Sequence, residues 1–322
     1  MLSYIIRRLV QSFLILLIVI FITFSLPYLE PHGIFAPAYL ALGTRADPTT
    51  VHQWAVAHGV DHSYIVRLWD YVFNLFVHFN LGYSYQAGRP VAGILSLYVP
   101  RTLWLALAAL ILTVLIAIPL GVFQAARRNT TFDYGATGVA FVLYAMPSFL
   151  LCTLVLDFFG YRSPHLPVSP PPGVAPWLIF TDPIAFVMPV GCLTLLSVAG
   201  ISRFMRGTVL EVLVQDYIRT ARAKGCSSRR VLFKHAFRNA LGPIITILGL
   251  SIPGLLGGAI IIEDVFNYGG LGIETVNAAY SSDVNVVLGI TLLVSIFTLL
   301  GNLLADVMLG VVNPRIRIEG RT

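Results

Sequence analysis

The chain has 322 residues, of which 57% are hydrophobic and 11% charged, with a mean hydropathy of +0.82. A soluble domain carries about 25% charged residues, so this composition excludes an ordinary soluble enzyme and fits one polytopic membrane domain. The net charge of +6 is compatible with a nucleic-acid partner in bulk, but the positions of the cations place them at membrane flanks. Three cysteines, Cys152, Cys192 and Cys226, are an odd number and imply no disulfide framework.

Arg7 and Arg8 precede an apolar run over 9–29. The run is too long for the core of a cleaved signal peptide and lacks a small-x-small site, which predicts an uncleaved first span. Residues 31–100 form an outer insertion rich in aromatic residues, with short surface helices expected at 49–58 and 63–79. Five further spans are predicted at 102–123, 135–158, 184–201, 241–262 and 286–309; backbone in lipid must satisfy its own hydrogen bonds, so all are helices. Pro147, Pro189 and Pro253 fall inside them and permit kinks. Glycines cluster in the fifth span (Gly242, Gly249, Gly254, Gly257, Gly258), which favours close helix packing or a narrow path between helices. Between the third and fourth spans, Pro164, Pro167, Pro170, Pro171, Pro172 and Pro176 predict a stiff extended connector.

The fold class is therefore all-α membrane protein: six transmembrane helices with an outer insertion of short helices and a cytoplasmic helix. The chain divides into a first transmembrane helix (1–30), an extracytoplasmic insertion (31–100) and a five-helix core (101–322) that carries a cytoplasmic segment at 203–240. With the N-terminus inside, sixteen of the twenty-one Arg and Lys side chains fall on inner segments. The positive-inside rule then places both termini in the cytoplasm.

The cytoplasmic segment has a legible design. Residues 209–224 are expected to be helical, Gly225 to take the left-handed position that ends the helix, and Ser227 or Ser228 to cap a second short helix over 229–240. In that second helix Val231, Leu232, His235, Phe237 and Arg238 distribute into an apolar and a basic face, and Ala221 and Ala223 leave small contact surfaces near the turn. Such a helix docks in a groove of a partner protein and transmits its motion. A basic loop on anionic lipid headgroups and a DNA-binding helix-turn-helix are the competing readings; the second would sit against the membrane.

Here a resemblance becomes specific. The segment is similar to the cytoplasmic loop of ABC importer permeases, whose pattern is Glu-Ala-Ala, three residues, then Gly; this chain has Arg219-Thr220-Ala221 in register with Gly225. DYIRTARAKG followed by KHAFRNALGPIIT resembles the dipeptide/oligopeptide permease B subunits. So do the opening MLSYIIRRLVQSFLILL, NLGYSY (80–85) with Pro100-Arg101-Thr102, IEDVFNYGGLG (262–272) and the ending NLLADVMLGVVNPRIR (302–317). The chain departs from the pattern in three places. It has Leu29-Glu30-Pro31-His32-Gly33 where the family has a Pro-Gly-Asp-Pro run, Gly269-Gly270 for Pro-Gly, and Asn313-Pro314-Arg315 for Asp-Pro-Arg.

The resemblance implies a type I ABC importer permease fold and a bacterial cytoplasmic-membrane location. It also implies a set of partners: a second homologous permease subunit, two ATPase subunits, an extracytoplasmic solute-binding protein, membrane lipid and a peptide substrate, with no nucleic acid. ATP and Mg would belong to the ATPase subunits, with no cofactor in this chain. The ATPase-coupling residues would be Arg219, Thr220, Ala221, Arg222, Ala223, Lys224, Gly225, Ser227, Ser228, Arg229, Val231, Leu232 and His235. Cargo within the class extends from peptides to nickel chelates and oligosaccharides.

No motif of catalysis or of ATP binding is present: there is no G-x-x-x-x-G-K-[ST], H-E-x-x-H or G-x-S-x-G, and the seven histidines lack metal-ligand spacing. Pore or gate candidates are Met146, Pro147, Ser148 and Phe149, a kink beside bulky apolar groups, and Pro253, Gly254, Gly258 and Glu263. A packing kink is the alternative for the first group, and structural pairing is the alternative for Glu263. Asp157 is read as a helix-end pairing group and Asp306 with Asn302 as a packing anchor. An ion-coupled secondary transporter would call for carboxylates in mid-span, whereas the acidic groups here cluster at span ends.

Overall fold

The computed structural model describes residues 2–29, 35–43, 45–162, 166–169 and 183–312. The elements, in order, are α1 (Leu2–Ser25), α2 (Ala36–Leu42), α3 (Pro48–Ala57), α4 (Tyr64–His78), the strands β1 (Tyr83–Ser84) and β2 (Arg89–Pro90), α5 (Val91–Ala126), α6 (Thr131–Ala145), α7 (Ser148–Val155), α8 (Val187–Leu213), α9 (Asp216–Ala223), α10 (Arg238–Val265), α11 (Leu271–Tyr280) and α12 (Val284–Val312). By length and composition, Val10–Leu29, Val91–Ala126, Ile184–Leu213 and Val284–Leu304 can each cross a membrane; a bent pair, Thr131–Ala145 with Ser148–Tyr161, passes the same test together. The 28-residue α10 covers the fifth expected span.

The described chain forms two compact units. The first comprises Met1–Arg101 and Gly269–Leu299. Its core sets Val91, Ile94 and Leu95 of α5 against Leu271 and Ala278 of α11 and Val286 and Ile290 of α12. These apolar positions explain why α5 starts at Val91 rather than at 102: Val91, Ile94, Leu95 and Tyr98 repeat at helical spacing and bury one face, and Pro100 is carried inside the helix. The short helices α3 and α4 lie where the insertion was expected to hold them. Asp47 caps α3, accepting from the backbone N–H groups of Thr49 and Thr50. The NLGYSY run forms β1 and its approach, antiparallel to β2. Ser84 Oγ donates to the Asp283 carboxylate, Asn285 Nδ2 donates to the Tyr83 carbonyl at 2.7 Å, and Gly82 has φ +92°.

The second unit comprises Thr102–Tyr268 and Leu300–Thr322. α8 is its centre, packed against α6, α7 and α10. The glycine that permits a close approach there is Gly121 of α5: a Cβ at that position would lie 2.5 Å from the Ser202 carbonyl oxygen and 2.7 Å from Met205 Cβ. At Gly242, in contrast, a Cβ meets nothing within 4 Å, so close packing does not require that glycine.

Three expected helices are redrawn. The third span is not continuous: it bends by 105° at Met146-Pro147. Met146 is extended at φ −75°, ψ 128°, because the ring of a following proline disfavours helical backbone. The fourth span runs on to Leu213, and Pro189 sits in its first turn, where a missing N–H costs nothing. The helix expected at 209–224 breaks at Val214-Gln215, with Gln215 extended at φ −68°, ψ 149°. A straight continuation from buried Val209 would turn Asp216 and Thr220 inward; the break instead buries Ile218. Of the proline-rich connector only 166–169, with Pro167, are described, and the Asn-Pro-Arg ending lies outside the described residues.

Candidate coupling surface and translocation cleft

The turn after α9 is built from backbone hydrogen bonds. Cys226 N–H donates to the Ala221 carbonyl at 3.1 Å and Gly225 N–H to the Arg222 carbonyl at 2.9 Å. With Gly225 at φ +80°, this is a complete Schellman cap. The Ala–x–x–x–Gly spacing follows, since Ala221 supplies the outer carbonyl and Gly225 the left-handed residue. Ser227 Oγ then accepts from Arg230 N–H at 3.4 Å and caps the next turn.

That next turn is not a separate short helix. A turn at Ser228–Arg230 leads into a π-helical stretch at Val231–Phe237, which continues without a break into α10. The register explains why. Val231 and Ala236 are both buried and five residues apart, and an α-helical turn from Val231 would direct Lys234 or His235 inward instead. The wider turn keeps Lys234 exposed and hands the buried face on to Ala240 and Ile244 at four-residue spacing.

The expected coupling residues therefore share one surface. Arg219, Thr220, Arg222, Ala223, Lys224, Gly225, Ser227, Ser228 and Arg229 are exposed, Ala221, Leu232 and His235 are half-buried, and Val231 is buried and holds the turn from below. α9 is fixed to this base in two ways. Ile218 is fully buried, a contribution of about 1.5–3 kcal/mol for a side chain of that size, and Asn239 Nδ2 donates to Tyr217 Oη at 2.8 Å. The ion pair between Arg219 and Asp216 is exposed on both sides and adds little. A shallow cleft beside the turn is lined by Ser227, Arg229, Arg230, Phe233 and Lys234.

The gate candidates separate. Pro147 heads α7, its carbonyl accepting from Leu150 N–H at 3.0 Å. Ser148, at the start of α7, lines a cleft of about 950 Å³ whose other walls are α5, α6, α8 and α10. Phe149 is exposed and Met146 half-buried. Pro253, Gly254 and Gly258 lie on the backbone of α10, and their surroundings are outside the described residues. Glu263 is fully buried and accepts from Thr102 Oγ1 at 2.5 Å. In the other unit, Arg101 Nη1 donates to the Gly269 carbonyl at 3.0 Å, and a Cβ at Gly269 would lie 2.8 Å from that nitrogen. Asp157 pairs with Arg162 at 2.8 Å. Asn302 Oδ1 is buried without a partner among the described residues; the Asp306 side chain lies outside them.

One pair was not read from the sequence. Arg206 of α8 clamps Asp133 of α6 with Nε to Oδ1 at 2.6 Å and Nη2 to Oδ2 at 2.7 Å. The local signal was Thr130-x-x-Asp133: Thr130 Oγ1 accepts from Asp133 N–H at 3.4 Å, and Asp133 Oδ2 accepts from Asn129 N–H at 3.0 Å. The first bond is that of an N-cap; the second reaches the N–H one residue before the cap, so the pair resembles a capping box shifted by one residue.

Residues 117–318 match the family described as binding-protein-dependent transport system inner membrane component, and residues 1–108 match the N-terminal family of the same membrane components. The chain belongs to this family. It is 36% identical to the oligopeptide transport system permease protein AppB of Bacillus subtilis (strain 168), over 98% of this chain and 99% of that one. It is 34% identical to the glutathione transport system permease protein GsiC of Escherichia coli O6:H1, over 99% and 100%, and 33% identical to the dipeptide transport system permease protein DppB of Escherichia coli K12, over 98% and 99%. Binding-protein-dependent transport components of this kind are membrane permeases that work with a solute-binding protein and an ATPase, so the basic surface at the Gly225 turn belongs to a transport subunit rather than to a catalyst.

Proposed function

We propose that this permease carries dipeptides or short oligopeptides and forms half of a translocation pore with a second, homologous subunit. In this reading it has six spans with both termini in the cytoplasm, and the outer insertion, 31–100, faces the solute-binding protein. The surface from Arg219 to His235 docks on one of two ATPase subunits, which hold ATP and Mg. ATP binding closes the ATPase pair and moves that surface, and the spans switch access because the two states differ in their contacts with the partner. The names of the relatives AppB and DppB support the cargo.

The observation that carries the coupling role is the Schellman turn at Gly225, which sets a rigid, exposed basic surface on the base of α10. Purification of the chain from its native membrane in mild detergent tests this. The wild type is expected to bring down an ATPase, a second permease and a solute-binding protein. The R222E/K224E variant is expected to lose the ATPase and keep the second permease. Retention of the ATPase by that variant would point to lipid contact instead, and a functional chain purified alone would end the partner-driven reading.

A further inference from the structure

Two arginines of α8 line the 950 Å³ cleft, and their surroundings differ. Arg206 is neutralised by its two bonds to Asp133. Arg203, one turn earlier, has its guanidinium carbon 3.8 Å from the ring centroid of Phe141 and 5.4 Å from that of Tyr144. Among the described residues it has no carboxylate within ion-pair distance. Glu211 lines the same cleft but lies eight residues along α8, about 12 Å by helical rise, which is too far to neutralise Arg203.

The rings hold this cation through their faces and accept none of its N–H donors in the ordinary way. The guanidinium thus keeps a planar fork of donors, the geometry that matches a carboxylate bidentately. The cleft has room for such a group: Gly200 and Gly207 of α8 form part of its wall, and Thr113 Oγ1, which also lines it, is buried without a partner among the described residues. The helix that carries Arg203 is long and apolar enough over Ile184–Leu213 to cross a membrane, beyond the end at 201 expected from sequence, and an ionisable group in such a helix is a candidate for the solute path.

We propose that Arg203 reads the free C-terminal carboxylate of the peptide as it passes through the cleft. This rests on the peptide reading above. The test is ATP-driven uptake by the complete reconstituted transporter, carrying wild type, R203Q or R203K, of a labelled dipeptide and of the same dipeptide as its C-terminal amide. The solute-binding protein is the same throughout, so its own preference cancels when each variant is compared with wild type on each substrate. R203Q is expected to lower uptake of the free dipeptide about tenfold and to leave the amide unchanged, and R203K to restore part of the loss. An equal fall for both substrates would assign Arg203 a packing or lipid-contact role and overturn the proposal, as would no change for either. If wild type imports neither form, the peptide reading itself fails and the proposal falls with it.

Discussion

At the scale of single residues, Gly225 has the clearest physical demand. Its φ is +80° and a Cβ there would meet nothing within 4 Å, so any side chain is opposed by the backbone alone, at about 1–2 kcal/mol. Asparagine tolerates the left-handed region, whereas a β-branched residue resists it. G225N is therefore expected to retain most ATP-driven uptake and G225V to lose it, with both still present in the membrane; normal uptake by G225V would remove this turn from the coupling path. Gly225 was legible because its conformational demand is local: a glycine after an amphipathic stretch, four residues from Ala221. Glu263 was less so. Sequence placed it at a span end with two possible roles, and its partner Thr102, 161 residues away along the chain, could not be read from local spacing.

At the scale of elements, the helices and the kink at Pro147 were legible, and the other breaks were not. Apolar runs located α1, α8, α10 and α12 because length and hydropathy are summed over many residues. The break at Val214-Gln215 and the π-turn at Val231–Phe237 depend on which face finds a core, and that is decided by residues elsewhere in the fold. The pair Asp133–Arg206 is of the same kind, joining α6 to α8 across 73 positions. Arg206 is 27% exposed and Asp133 1%, so removing the carboxylate costs less than the ~3–5 kcal/mol of a fully buried pair. D133A is expected to destabilise the purified protein by about 1–3 kcal/mol, read as a lower unfolding midpoint. In a double-mutant cycle with R206M the two losses should fall well short of adding; additive losses would mean the clamp does not hold α6 to α8.

At the scale of the whole molecule, the two family matches, over 1–108 and 117–318, together account for nearly the full chain. The permease class was readable at this scale because the motifs that carry it are short contiguous segments spread along the chain. The cleft was not readable, since its wall is assembled from five helices that meet only in the fold. The most direct measurement of the central claim is accumulation of a labelled dipeptide by proteoliposomes containing this chain with the proposed second permease and ATPase subunits, the solute-binding protein being supplied on the outer face. Accumulation is expected only when both ATP and the binding protein are present. Accumulation that follows a proton or sodium gradient without ATP would contradict the account and identify an ion-coupled transporter.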